Sequence, residues 1–373
     1  MKPVADHGRS RSPALSGRDR YQRFLKADAD RSRAMGPDEA VDAAYVGGVI
    51  LRDLGGKNGT WKIEPQPLKG RDSWVFKAHT PQAPWPLAVK VHCAAVTEAD
   101  IAAKAEHLGQ CHAAMAARPE LTIPALWASL PEHRTLVMQW IEAPRMDDLL
   151  ARAGGRREER SRLFAAAGAW LRHYHAQAPA VMRGLKVGSY PGHIDMLLGG
   201  EEGAGREVRD GIFRASYDAL IEHAASFAGC RVAHVMAHGD FVPHNVFHGG
   251  GQTVGFDMVP RTRPALADIC HFLVHAEVKK PLRFRPGTLG PTGLEQRDAR
   301  AFLDAYGALE PLEGGAVAAY LQLNEALLRW AVVISNRRRG GRPRTEQVID
   351  WMRYRRMARR AALALEQGRG LLG

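Results

Sequence analysis

Several features are scarce in this chain of 373 residues, and each scarcity excludes something. No run of 18 or more apolar residues occurs, and the N-terminus mixes charged and polar residues where a secretory leader would carry an apolar core. A membrane span and a secreted destination are therefore not expected, and a cytoplasmic location is. The four cysteines, Cys93, Cys111, Cys230 and Cys270, are far apart and form no C-x-x-C pair, so they read as buried free thiols. The 16 His are scattered without an evident ligand pairing, which argues against zinc. Gly55-Gly56-Lys57-Asn58-Gly59 lacks the Ser or Thr that a phosphate-binding P-loop needs after its Lys, and reads as a turn.

What the chain has in plenty is positive charge. The formal net charge is +12, enough to attract nucleotides and other anions. One concentration lies at residues 2 to 33, where nine Lys and Arg face four Asp; the other runs from Arg337 to Arg360. Residues 1–40 show little apolar periodicity and are expected to be a mobile basic extension. With 45% hydrophobic residues the remainder is rich enough for two buried cores.

From Trp61 to Val91 short apolar runs alternate with turn residues, which predicts a small antiparallel sheet ending in Leu87-Ala88-Val89-Lys90-Val91. A helix from about Thr97 to Ala117 and strands at Thr122–Ala128 and Arg134–Trp140 follow. Helical patterns then dominate, at residues 146–153, 158–176, 209–228, 266–279, 294–306, 315–336 and 345–367. Between them, Val232 to Phe256 reads as a loop and a small hairpin turning at Gly249-Gly250-Gly251.

That loop carries the chemistry. In His238-Gly239-Asp240-Phe241-Val242-Pro243-His244-Asn245, Asp240 would take the proton of an acceptor hydroxyl, and Asn245, five residues on, would reach back to a Mg²⁺ ion. Asp257, after the hairpin, offers a carboxylate to the same hard cation. With only four Asn in the chain, H-G-D-x-x-x-x-N arises by chance on the order of once in a thousand such chains.

The stretch from His238 to Asp268 resembles the aminoglycoside phosphotransferase and choline kinase superfamily, small-molecule relatives of protein kinases, with Gly239 where protein kinases usually carry Arg. The resemblance implies an α+β, bilobal protein-kinase-like fold: the extension 1–40, a nucleotide-binding sheet lobe at 41–140, and a helical catalytic and substrate-binding lobe at 141–373. It implies Asp240 as base, Asn245 and Asp257 as Mg²⁺ ligands, and His238 and Asp268 as supports of the loop. Lys90 resembles the strand Lys on the nucleotide phosphates, with Glu106 as its ion-pair partner and Glu98 as the alternative. Gly70 and Ser73 lie in the segment that would cover the phosphates, although only one Gly is present. Met138 and Trp140 fall in the stretch that resembles the hinge against adenine, and His175 reads as a structural residue ending a long helix.

The implied cofactors are ATP, with GTP as the alternative, and Mg²⁺. The implied acceptor is a hydroxyl of a small molecule or glycan. Residues 177–232 balance acids against Arg and Lys, which fits a neutral or anionic alcohol better than a polycation, and choline stays open. Two other readings remain at this point: a nucleotide-binding pseudokinase regulator, and a basic protein that binds nucleic acid or membrane. The complete set of Lys90, Asp240, Asn245 and Asp257 favours an enzyme over a pseudokinase, and no nucleic-acid recognition module is visible. Contact of the Arg-rich C-terminal helix with an anionic surface is the remaining partner expectation.

Overall fold

A computed structural model describes residues 50, 54, 61–64, 68–69, 73–92, 96–198, 210–280, 288–307, 315–338 and 344–372. The expected extension at 1–40, the Gly55–Gly59 turn and Gly70 lie outside these residues. The chain divides into two compact units, 1–110 with 124–141, and 111–123 with 142–373. The fold is mixed α+β, an antiparallel N-terminal sheet followed by a mainly helical remainder.

The first unit is built on β1 (Lys62–Ile63), β2 (Leu68–Lys69), β3 (Ser73–His79), β4 (Leu87–His92), β6 (Leu126–Leu130) and β7 (Thr135–Gln139). Their order is β1-β3-β4-β7-β6 with β2 on β3, antiparallel throughout. Alternation assigns the faces: Trp74, Phe76 and Ala78 of β3, Leu87, Val89 and Val91 of β4, and Val137 of β7 close one core with Ile50. Helix α1 (Glu98–Met115) starts on a reciprocal Thr97–Asp100 cap, Asp100 N–H to Thr97 Oγ1 at 3.1 Å and Thr97 N–H to Asp100 Oδ2 at 2.9 Å.

The single strand expected at Thr122–Ala128 is instead two. β5 (Leu121–Thr122) runs parallel to β11 (Gln252–Gly255), whereas β6 pairs with β7. Pro124, which has no N–H to give to a ladder, separates them.

In the second unit the helices are α2 (Met146–Ala153), α3 (Arg157–His175), α4 (Ser189–Leu198), α5 (Gly211–Phe227), α6 (Ala265–Val278), α7 (Gln296–Tyr306), α8 (Ala316–Arg338) and α9 (Arg344–Glu366). Two small sheets accompany them, β10 (Val246–Gly249)–β11–β5 and β12 (Arg261–Pro264)–β9 (Arg231–Ala237)–β8 (Val181–Gly184). Trp170 is the centre of the packing around the loop. Fully buried, it stacks on Tyr174 and Phe241 with ring centroids 5.2 and 5.4 Å apart, and its indole N–H donates to the Thr122 carbonyl at 2.7 Å. A side chain at Gly255 would meet that indole at 2.2 Å, so the hairpin seats on Trp170 only with Gly there.

Residues 316–335 of α8 are long and apolar enough to cross a membrane, with a mean hydropathy of 1.2, but that stretch is 67% buried inside the protein. Tyr320, Leu323, Leu327 and Trp330 account for its apolarity as core residues. Much of the basic C-terminal run is also engaged internally. Arg353 donates to the Val278 carbonyl, Arg355 pairs with Asp210 at 3.1 Å, and Arg356 pairs with Glu277 at 2.9 Å.

Candidate active site

The His238–Asn245 loop is held by Asp268. This carboxylate, on the first turn of α6, is 1% exposed and accepts from the backbone N–H groups of His238 at 2.6 Å and Gly239 at 3.0 Å. His175, at the end of α3, places its Nε2 3.1 Å from the same carboxylate and its Nδ1 2.9 Å from the Tyr306 hydroxyl. Burial alone would raise the Asp268 pKa, but the His175 hydrogen bond and neighbouring positive potential outweigh it and hold the group at about 2. It is a permanent anion around which the loop is wrapped.

Gly239 is required on two counts. Its φ is +82°, and a Cβ would stand 2.3 Å from the carbonyl oxygen of Val259, whose N–H donates to the His238 carbonyl at 2.7 Å. His238 is fully buried, and its Nδ1 accepts from the Asp240 N–H at 3.3 Å. Burial lowers its pKa against the pull of Asp268 and Asp240, which keeps the ring neutral.

Asp240 emerges from this framework with its side chain 44% exposed. Asn245, on a short 3₁₀ turn (Pro243–Asn245), donates its amide to both the Asp240 carbonyl at 2.9 Å and Asp240 Oδ2 at 3.0 Å. Because both bonds use Nδ2, the amide oxygen of Asn245 is left as an acceptor. The Asn245 carbonyl in turn accepts from Phe256 N–H at 3.1 Å, which fixes the chain immediately before Asp257. Asp257 is exposed and sits at φ +62°, a left-handed conformation uncommon for a residue with a side chain. An amide oxygen and a carboxylate on adjoining segments form the all-oxygen donor set that suits Mg²⁺.

The second unit thus brings together His238, Asp240, Asn245 and Asp268, with Asp257 on the adjoining backbone. The first unit groups another set. Cross-strand register aligns Val75, Lys90 and Leu136, and Lys77, Ala88 and Met138. Alternation then puts Ser73, Lys90 and Met138 on the sheet face opposite the Phe76–Val89 core. The Trp140 ring lies 5.5 Å from the Lys77 ammonium, next to that face. Glu106 is on the exposed side of α1, where its carboxylate accepts from Gln110 at 3.1 Å.

Four residues around Asp240 escaped the sequence reading. His271 Nε2 is 3.5 Å from Asp240 Oδ1, and Arg329 Nη2 contacts the same ring, 3.0 Å from Nε2. Arg329 is itself paired with Glu325, Nε to Oε1 at 2.5 Å. His275 stacks on His271 at 4.9 Å, so His271, His275 and Glu325 do bring ligand-type atoms within 4.8 Å of one another. The reading of scattered His overlooked this one-turn pairing on α6. The guanidinium of Arg329 lies against two of the three, and burial together with that cation holds both imidazoles neutral, well below the usual pKa.

Solved structures share this architecture. A choline/ethanolamine kinase family protein from Mesorhizobium loti aligns over 88% of this chain and 100% of its own, at 16% identity and a TM-score of 0.55. The choline kinase of Streptococcus pneumoniae aligns over 85% and 98%, at 13% identity and 0.55. A spectinomycin phosphotransferase aligns over 86% and 98%, at 12% identity and 0.52. The fold is the one that these solved structures have in common. No protein-family model and no curated protein sequence matches the chain. At these identities the kinase fold is shared, and the chemistry has to be argued from the loop itself.

Proposed function

We propose that the protein is an ATP-dependent phosphotransferase that moves the γ-phosphate of Mg-ATP to a hydroxyl of a small molecule or glycan. The observation that carries this reading is the Asp240–Asn245 pair. A half-exposed carboxylate has one oxygen fixed by an amide and the other open, on a backbone clamped by a buried anion.

Asp240 Oδ1 accepts the proton of the acceptor hydroxyl as its oxygen attacks the γ-phosphorus; the bond to the β-phosphate oxygen breaks and ADP departs. Asn245 Oδ1 and the Asp257 carboxylate are the groups that would hold Mg²⁺, which when bound neutralises charge on the phosphate oxygens. Lys90 is assigned to the phosphates, Ser73 to their cover and Met138 with Trp140 to the adenine side; Gly70 belongs to the same proposed cover. The neutral, buried His238 takes no proton in this scheme and serves to seat the loop.

The test is phosphate transfer from γ-labelled ATP across a set of alcohols and sugars, with nucleotide binding measured in parallel. Asp240→Asn is expected to lower transfer about 10³-fold while leaving Mg-ATP affinity within about twofold. Full transfer by the variant would remove Asp240 as the base.

A further inference from the structure

The two oxygens of Asp240 have different surroundings, and the difference bears on the acceptor. Oδ2 is occupied by Asn245, so the hydroxyl must approach Oδ1, on the His271 side. Beyond His271 lies Arg329, its Nη2 3.0 Å from the ring. Arg263 of β12 reaches the Gly239 carbonyl, the group just before Asp240, at 3.5 Å. Arg263 forms no ion pair among the described residues.

The carboxylates there are accounted for. Asp268 is buried under the loop, Glu325 is bonded to Arg329 at 2.5 Å, and Asp240 is needed for the proton. His275 adds a buried Nε2 with no hydrogen-bond partner beside the stacked His271 ring. Two guanidinium groups therefore lie one contact away from Asp240, Arg329 through the His271 ring and Arg263 through the Gly239 carbonyl. A cationic alcohol would have only Asp240 to set against Arg263, which has no ion pair among the described residues.

We propose that the acceptor carries a negative charge of its own, a carboxylate or phosphate group, held by Arg263 and Arg329 while its hydroxyl lies against Asp240 Oδ1. This rests on the phosphotransfer reading and sharpens it. Guanidinium groups suit such a ligand because their planar N–H pairs match the oxygens of carboxylate and phosphate. Arg329 is pre-oriented by Glu325, and Arg263 by the Gly239 carbonyl, so neither has to be ordered by the acceptor alone. Choline, named for the Streptococcus pneumoniae structure, has the opposite charge.

The experiment is calorimetric titration of the full chain, with and without saturating Mg-AMP-PNP, using D-glycerate and glycerol 3-phosphate as anionic alcohols against choline and glycerol. At least one anion is expected to bind more tightly than choline and glycerol, and Arg263→Ala to weaken it about tenfold or more. Arg329→Lys, which keeps a cation for Glu325 but loses the planar fork, is expected to weaken the same anion. Arg118→Ala, at the exposed pair with Glu120, is the control that leaves it unchanged. Tighter binding of choline overturns the proposal, as does absence of anion binding up to about 10 mM, or anion binding that Arg263→Ala does not alter. Failure to bind Mg-AMP-PNP would instead count against the phosphotransfer reading, since the anion titration without nucleotide is read separately.

Discussion

Asp268 and Asp240 both adjoin His238 and Gly239, one through hydrogen bonds to their N–H groups and the other as the next residue in the chain, yet their environments differ in almost every respect. Asp268 is sealed at 1% exposure and bonded to two backbone N–H groups and an imidazole. Asp240 is 44% exposed, with one oxygen bonded to Asn245 and the other facing His271 at 3.5 Å. A carboxylate bonded at both oxygens holds structure, and one with an oxygen open can take a proton. The exposed carboxylate of the loop is thus carried on a backbone fixed by the buried one.

The comparison breaks most severely if its rear half is removed. Asp268→Asn leaves two inward backbone N–H groups and His175 without their anion, and is expected to cost about 3 kcal/mol, read as a lower denaturant midpoint at unchanged slope. If its midpoint matched the wild type, the buried carboxylate would not be the brace.

Acid should separate the two carboxylates next. Asp268 is held at about 2 against an ordinary value of 3.8. Its stabilisation is therefore fully present above about pH 4 and lost as pH falls through 2, amounting to roughly 2 kcal/mol. Denaturant midpoints between pH 5 and pH 2.5 should fall more steeply for the wild type than for Asp268→Asn. Parallel curves would mean that the depression is absent.

The smallest effect belongs to the first unit, where Lys90 and Glu106 form a similar contrast. Lys90 is fixed by register between two neighbouring strands, whereas Glu106 is exposed and bonded to Gln110. Glu106→Gln is expected to change Mg-ATP affinity by no more than about twofold, measured by calorimetry. A loss as large as that of Lys90→Ala would support Glu106 as the partner of the lysine.

These contrasts also show which parts of the molecule were legible in sequence. The order of the helices and the position of the loop between them were readable, because H-G-D-x-x-x-x-N packs its constraints into eight residues and the apolar periodicity of the helices is strong. The geometry adds the reason for Gly239, a positive φ and a close carbonyl, that the letters alone do not state. β12 was missed because Arg261-Thr262-Arg263-Pro264 has no apolar alternation. The break between β5 and β6 was signalled by Pro124 within a run that otherwise reads as one strand.

The contact of Arg329 with His271 had no local signal, since the two are 58 positions apart. His271 was within reach: it follows Asp268 by three residues on a helix, and so shares its face. Charged residues inside an apolar helix, such as Glu325 and Arg329 one turn apart, are the cue that would have pointed to the rest.

The most direct test of the central claim is calorimetric binding of ATP, with and without Mg²⁺, to the wild type and to Asp257→Asn. The account predicts Mg²⁺-dependent binding by the wild type and its loss in the variant; no binding of ATP or GTP by the wild type would contradict it.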